Sequence, residues 1–456
     1  SDLRKIIEVA TSLQTKPILG VRVRIFSRGA GKWEESGGET SKFGINTIQL
    51  LDCLKLVSDE QLTQQLKMLH FHIGSQITDI RRIKSAIKEA ARVYAKVHKM
   101  GYPVEFLNVG GGLGVDYDGS RTASDCSVNY SVQEFANDIV YTINEICLSE
   151  NVPPPTIVTE SGRAVVAHHA MFITNVIRTL NPGLGGTEIS PSKVDSEVVR
   201  EMMDLHKDIN PKNFREYYHD ALQHREELQS LFNLGYLNLQ NRAHGEWLFW
   251  EICRKAIKFS RSMKERPEEF ADLENILASK YICNFSVFQS SPDTWALDQL
   301  FPIIPVTRLN EEPTERATLC DITCDSDGQI DKFVDLRDVK QALELHGVNS
   351  EPYFLAMTLI GAYQESLGMN HNLLGSVNEA HFLVDDAGRP HLDKVIRGES
   401  LGHVLSTAGY DTQSLLDGFR QAINSVQVQG RTSADERESL MDSFRSTLDS
   451  YTYLED

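Results

Sequence analysis

Apolar runs alternate with amphipathic stretches along the first 180 residues. Pro17–Ile25 is a short β-branched run, P-I-L-G-V-R-V-R-I, and reads as a strand; Ile45–Val57 reads as a helix; Leu66–Ile73 reads as a strand that ends in H-F-H-I-G-S. Asp79–Met100 sets Ile83, Ile87, Ala90, Ala91 and Tyr94 on one helical face. Val104–Val109 is again a strand, Val132–Leu148 a helix, and Pro155–Glu160 a strand ending in T-E-S-G-R. Strands alternating with helices predict a parallel sheet. A closed barrel needs eight such units, and roughly half of them are visible, so an open sheet and part of a barrel both fit. Asp2–Gln14 is already amphipathic, with Leu3, Ile6, Ile7, Ala10 and Leu13 at helical spacing. A pattern under way at Ser1 raises the expectation of a preceding segment.

The texture then changes twice. Pro191–Lys280 is helical, charged and free of strand patterns, and Trp247, Phe249, Trp250, Ile252, Ile257 and Phe259 mark a buried face. It reads as an inserted helical bundle. From Tyr281 come β runs separated by Pro, Gly and Asp: Y-I-C-N-F-S-V-F, F-P-I-I-P-V, A-T-L-C-D-I-T-C-D and Phe354–Ile360, which predict an antiparallel sheet. Thr412–Tyr453 is a polar helical tail. The expected division is a barrel portion over 1–185, the bundle over 186–280, a β domain over 281–410 and the tail over 411–456.

Composition narrows the partners. The 456 residues carry a net charge of -18, which argues against nucleic acid and against an anionic membrane surface. Seven cysteines, with no C-x-x-C pair, point to reduced thiols in a cytoplasmic setting, not to a disulfide framework or a zinc site. No run is long and apolar enough to span a bilayer, and no signal peptide is visible.

Candidate chemistry clusters at strand ends, where parallel α/β folds collect ligands. In L-N-V-G-G-G-L-G-V-D-Y, Leu107–Tyr117, an apolar run meets Gly110, Gly111 and Gly112, with Gly114 following. Bare backbone there can offer N–H groups to a phosphate, and a plain glycine turn accounts for it equally well. Glu160, Gly162 and Arg163 end another strand; a carboxylate and a guanidinium there suit a protonated ring nitrogen and a phosphate, or form a structural ion pair. His72 is either a ring that stacks on a planar ligand or a core histidine, and Ser75 either a phosphate ligand or a helix cap. Cys324-Asp325-Ser326-Asp327-Gly328 sets a thiol beside two carboxylates. Those charges disfavour the thiolate, which suits a proton donor and not a nucleophile; a turn with a buried cysteine is the alternative.

Taken together, H-F-H-I-G-S, N-V-G-G-G-L-G-V-D-Y, T-E-S-G-R, C-D-S-D-G and G-A-Y-Q-E resemble the pyridoxal-phosphate decarboxylases of the alanine-racemase-like fold, and among them those acting on arginine. G-G-E-T-S-K-F-G, S-D-C-S-V-N-Y, N-F-S-V-F-Q-S-S-P-D-T-W, D-Q-L-F-P and Y-T-Y-L-E-D extend the likeness over nearly the whole chain.

The resemblance implies the C-terminal half of a cofactor-binding (β/α)8 barrel, a helical insertion, an antiparallel β domain and C-terminal helices. It implies decarboxylation of L-arginine to agmatine for polyamine synthesis, with ornithine, lysine or diaminopimelate as rival substrates. His72 would stack on pyridoxal phosphate and take part in catalysis. Ser75, Gly110, Gly111, Gly112, Gly162 and Arg163 would hold its phosphate, with Tyr363 reaching in from the second domain, and Glu160 would pair with its ring nitrogen. Cys324 would return a proton to the α-carbon. Asp325, Asp327 and the run Leu107, Asn108, Val109, Gly110, Gly111, Gly112, Leu113, Gly114, Val115, Asp116, Tyr117 would face the substrate. A homodimer or larger assembly with shared sites is implied, and a magnesium requirement without a ligand cluster to place it. The lysine that carries the cofactor belongs to a segment this chain lacks; Lys42, in S-K-F-G, fits a different motif. A non-catalytic homologue that regulates a decarboxylase is the alternative from another class.

Overall fold

The computed structural model describes residues 2–27, 41–182, 196–335, 339–428 and 433–455. Four strands, β1 (Leu19–Arg22), β2 (Leu66–His70), β3 (Phe106–Asn108) and β4 (Thr156–Val158), pair in parallel and in sequential order. Helix α1 (Asp2–Ser12) precedes β1, and α2 (Thr47–Asp59), α3 (Ile80–Lys99) and α4 (Val132–Glu150) make the three crossovers. The strand order never reverses. That is how a barrel winds, whereas a doubly wound sheet has a switch point.

The helices begin where local chemistry starts them. Asn46 with Gln49, and Ser131 with Glu134, form reciprocal capping boxes, and the Asp79 carboxylate accepts the Arg81 N–H at the start of α3. Ile83, Ala86, Ile87, Ala90, Ala91 and Tyr94 of α3 are buried in one core with Leu66, Leu69 and Leu107 of the strands and Phe135, Ile139 and Ile143 of α4. Alanines along the α3 face let it approach closely.

After the short α5 (Gly162–Val166), strand β5 (Phe172–Leu180) leaves this sheet. The sequence reading put it in the barrel portion. Instead it pairs with β6 (Ser279–Cys283), about a hundred residues on, and the helices α6 (Glu197–Asp208), α7 (Phe214–Asn233), α8 (Leu239–Ser260) and α9 (Glu268–Ile276) lie between the two. The expected boundary at 186 falls outside the described residues. Met202, Phe214, Leu228, Phe249, Ile252 and Phe270 give the helical bundle its own core.

The second sheet adds β7 (Ile303–Pro305), β8 (Glu315–Cys320), β9 (Gln329–Ile330), β12 (Leu343–Leu345) and β13 (Phe354–Met357), while β10 (Phe333–Val334) and β11 (Val339–Lys340) pair apart. It is mixed, not purely antiparallel: β6 and β8 run parallel, with Ser279 opposite Ala317 and Tyr281 opposite Leu319. The connection between them is long enough to cross over and carries α10 (Val287–Ser290) and α11 (Pro292–Leu297). Helix α12 (Gln364–Leu367) follows β13. The hairpin β14 (Glu379–Val384) and β15 (Pro390–Ile396) leads to α13 (Leu401–Thr407), α14 (Thr412–Val428) and α15 (Ala434–Asp449). Among the described residues no helix is long and apolar enough to cross a membrane.

One segment joins the layers. Leu107 and Val109 are buried in the barrel core, whereas Val115 and Tyr117 are buried in the core of the second sheet, beside Phe285 and Phe301. The glycine run lies between these two anchors.

Candidate active site

Three strand ends meet at the glycines, and the close approach explains why no side chain stands there. A Cβ on Gly110 would lie 2.4 Å from the Phe71 carbonyl oxygen, and one on Gly111 2.8 Å from that of Glu160. Gly110 and Gly112 also sit at φ of 68° and 107°, in the region glycine alone enters freely.

The loop sets its neighbours. Gly111 donates its N–H to Nδ1 of His72 at 3.0 Å, so this nitrogen is an acceptor and the ring proton belongs on Nε2. Burial, then the charges of Arg22 and His70, hold the His72 imidazole below its ordinary range, against an opposing pull from Glu160. Asn108 donates Nδ2–H to Oε1 of Glu160 at 2.6 Å, and its Oδ1 accepts the Gly110 N–H at 2.8 Å. Glu160 in turn donates its backbone N–H to the Gly110 carbonyl at 2.8 Å.

Arg163 is buried. Its Nε donates to Ser75 Oγ at 3.0 Å, its Nη1 donates to Tyr117 Oη at 2.9 Å, and its guanidinium carbon lies 4.6 Å from the Tyr363 ring centroid. Tyr363, at the start of α12 with φ of 71°, thus arrives from the second layer. Burial raises the Tyr117 hydroxyl above its ordinary range and Arg163 partly offsets it, so Tyr117 remains a neutral partner. The structure therefore brings together His72, Ser75, Gly110, Gly111, Gly112, Glu160, Gly162, Arg163 and Tyr363.

It places Cys324, Asp325 and Asp327 in a second group with different partners. Cys324 meets Asn372, Asp325 lies 3.6 Å from Nε2 of His371, and Asp327 accepts Trp295 Nε1–H at 3.1 Å. A cavity of about 180 Å³ beside them is lined by Trp295, Asp298, Asp327, Asp331 and Lys332 among others.

The side chains of the run 107–117 have partners of their own. The side chains of Leu107, Val109, Leu113, Val115 and Tyr117 are core, Asn108 serves Glu160, and Asp116 accepts from Ser127 Oγ at 2.6 Å. A Cβ on Gly114 would meet Val128 at 2.5 Å. Sequence reasoning missed Gln76, whose amide clasps both backbone groups of Val115, donating to its oxygen at 2.7 Å and accepting from its nitrogen at 2.9 Å. It also passed over Asp293, a buried carboxylate held by Gln364 at 2.8 Å.

The residues present fit pyridoxal phosphate. The glycine cradle holds no side chain that would fill it, Arg163 and Ser75 suit a phosphate, and the buried Ser161 Oγ has no hydrogen-bond partner. Magnesium fits less well. Among the described residues the one grouping with ligand spacing is Glu201, His224 and Glu227 in the bundle, and its imidazole is a poor ligand for an ion that prefers an all-oxygen shell.

Comparison with known proteins agrees with this geometry. Residues 1–167 match the family model of the pyridoxal-binding domain of pyridoxal-dependent decarboxylases, 192–274 the arginine decarboxylase helical bundle domain, and 402–454 the arginine decarboxylase C-terminal helical extension. The chain is 46% identical to a biosynthetic arginine decarboxylase of Deinococcus radiodurans, over 100% of this chain and 69% of that protein. It is 43% identical to one from Phocaeicola vulgatus, over 100% and 72%. The crystal structure of the biosynthetic arginine decarboxylase from Campylobacter jejuni superposes with a TM-score of 0.85 at 34% identity, covering 100% of this chain and 72% of that one. Diaminopimelate decarboxylase from Helicobacter pylori shares the fold, with a TM-score of 0.54 at 16% identity over 90% of this chain and 72% of that one.

Proposed function

The chain belongs to the biosynthetic arginine decarboxylase family, and from that membership we propose how its residues serve the conversion of L-arginine to agmatine and carbon dioxide in polyamine synthesis. The observation that carries the reading is the buried Arg163, reached by Ser75 and Tyr117 from the barrel layer and by Tyr363 from the second layer.

Pyridoxal phosphate, when bound, supplies an electron sink for the bond to the departing carboxylate. Around it, Arg163 and Ser75 hold the phosphate beside the side-chain-free loop Gly110, Gly111 and Gly112, with Gly162 leaving room and Tyr363 closing from the second layer. His72 lays its neutral ring against the planar ring. Glu160, aimed by Asn108, keeps a proton on the ring nitrogen. Cys324 returns a proton to the substrate's α-carbon, and Asp325, with Asp327, faces its cationic end.

The exposed Cys324, whose partners differ from those of the Arg163 cluster, supports a dimer in which that loop completes a partner's site. The reading also includes a companion segment outside this chain that supplies the cofactor lysine, and a cytoplasmic location. The bundle and C-terminal matches favour arginine over ornithine, lysine or diaminopimelate. The donor set at Glu201, His224 and Glu227 gives magnesium no step here.

Borohydride reduction of the purified protein with pyridoxal phosphate, followed by peptide mapping, tests the reading. A pyridoxyl-lysine outside this sequence, with agmatine and no putrescine or cadaverine released, is the expected result. Scattered surface adducts and no agmatine would leave the regulatory alternative standing.

A further inference from the structure

We propose that Asn372 is the positioning residue of the Cys324 thiol: its amide engages the sulfur as a hydrogen-bond acceptor and so directs the thiol's own proton outward. The inference rests on the reading of Cys324 as proton donor.

The Asn372 amide meets Cys324 twice. Its Oδ1 accepts the Cys324 backbone N–H at 3.1 Å, and its Nδ2 lies 3.5 Å from Sγ. The orientation of this amide is determined. A backbone N–H only donates, so Oδ1 must face it, and that turns Nδ2–H toward the sulfur. The S–H then points to the open side of the loop, where Cys324 is the one exposed cysteine of seven. When the proton leaves, the S–H bond breaks, a C–H bond forms at the substrate's α-carbon, and the electron pair stays on sulfur. There Nδ2–H stabilises the negative charge, and solvent later returns a proton.

The backbone of this turn is held at a cost. Asn372 and Leu373 are consecutive left-handed residues, at φ of 55° and 59°. Asparagine tolerates that region and leucine does not, so the surroundings must impose it. They do: the His371 ring lies 4.6 Å from that of Phe288, Leu374 is buried, and Tyr453 Oη donates to the Gly375 carbonyl at 2.8 Å. Neighbouring residues of the turn thus face neighbouring residues of the loop, Asn372 the cysteine and His371 the Asp325 carboxylate.

Two variants separate aiming from mere anchoring. Asn372→Gly keeps the left-handed backbone and removes both bonds. Asn372→Asp keeps the acceptor for the Cys324 N–H and sets an anionic oxygen against the sulfur. We expect iodoacetamide to label Cys324 in this chain, followed by peptide mapping at neutral pH, about threefold more slowly in Asn372→Gly and about tenfold more slowly in Asn372→Asp than in the unsubstituted protein. Labelling of the buried Cys147, Cys253 and Cys283 reports any unfolding in the same experiment. In the cofactor-loaded assembly, Asn372→Asp should shift product from agmatine toward aldehyde with pyridoxamine phosphate. Unchanged labelling and an unchanged product ratio in both variants would overturn the inference about Asn372. Unchanged agmatine release from Cys324→Ala would instead overturn the reading of Cys324, leaving Asn372 with only its bond to sulfur.

Discussion

The Arg163 cluster and the Cys324 loop are built in opposite ways. The first stands on three strand ends, its cation is buried, and its glycines are dictated by backbone contact. The second stands on turns and is exposed, its thiol oriented by Asn372 and its Asp325 carboxylate by His371 and the Asp327 N–H. The difference follows from the tasks. A dianionic phosphate is held best by donors already desolvated and fixed. A proton donor that must be recharged needs water within reach. Rigid scaffold and accessible loop divide the labour.

The contrast can be broken most severely at Gly110. Gly110→Ala places a methyl 2.4 Å from the Phe71 carbonyl at a φ of 68°, so the strand ends must part. We expect a loss of about 2–4 kcal/mol and of cofactor binding; an unchanged denaturation midpoint would show the junction to be pliable. Arg163→Lys retains the charge but cannot fork to Ser75 and Tyr117 together. Cofactor titration should then show affinity weakened by about tenfold to a hundredfold, with less effect on labelling of Cys324. A parallel drop in both would mean the two groups are one.

Smaller perturbations sharpen the picture. Tyr117→Phe removes one hydroxyl from a packed ring and should cost about 1 kcal/mol in chemical denaturation; a larger loss would make this bond, not packing, the main tie between the layers. His72 gives the smallest signal. Its folded imidazole is held below the ordinary range, so the folded state binds fewer protons there than the unfolded chain. Stability linked to it is complete above the ordinary imidazole range and is lost as pH falls through that range toward the lower folded value. Protonation also turns Nδ1 into a donor and breaks the Gly111 bond. An NMR titration should find His72 changing below the ordinary imidazole range, and a titration at or above it would refute the buried, acceptor assignment.

What was readable in the chain follows a rule of locality. The glycine run was legible because a strand junction without room for Cβ writes itself into consecutive residues. The Glu160 and Arg163 pair was legible because both lie within one strand-end motif. The supports were not. Asn108 serves Glu160 across 52 residues, Gln76 clasps Val115 across 39, and Asn372 meets Cys324 across 48. Asparagine and glutamine at strand ends and in turns carry no pattern that marks such pairings. The boundary at 185 took β5 into the barrel portion for a related reason: its β-branched run fits any sheet, and only its partner, about a hundred residues on, decides which. The buried side chains of Leu107, Val109, Leu113, Val115 and Tyr117 show one run serving two cores, which the motif alone does not reveal.

The eleven residues from Leu107 to Tyr117 have one foot in each hydrophobic interior. Such a strap works as a seam. When the two layers breathe apart, the displacement is delivered to the stretch between the feet, where the glycine cradle sits. A ligand lodged against that cradle resists the displacement, and by linkage whatever resists opening stabilises the closed form. Loading the site should therefore weld two separately melting bodies into one cooperative unit.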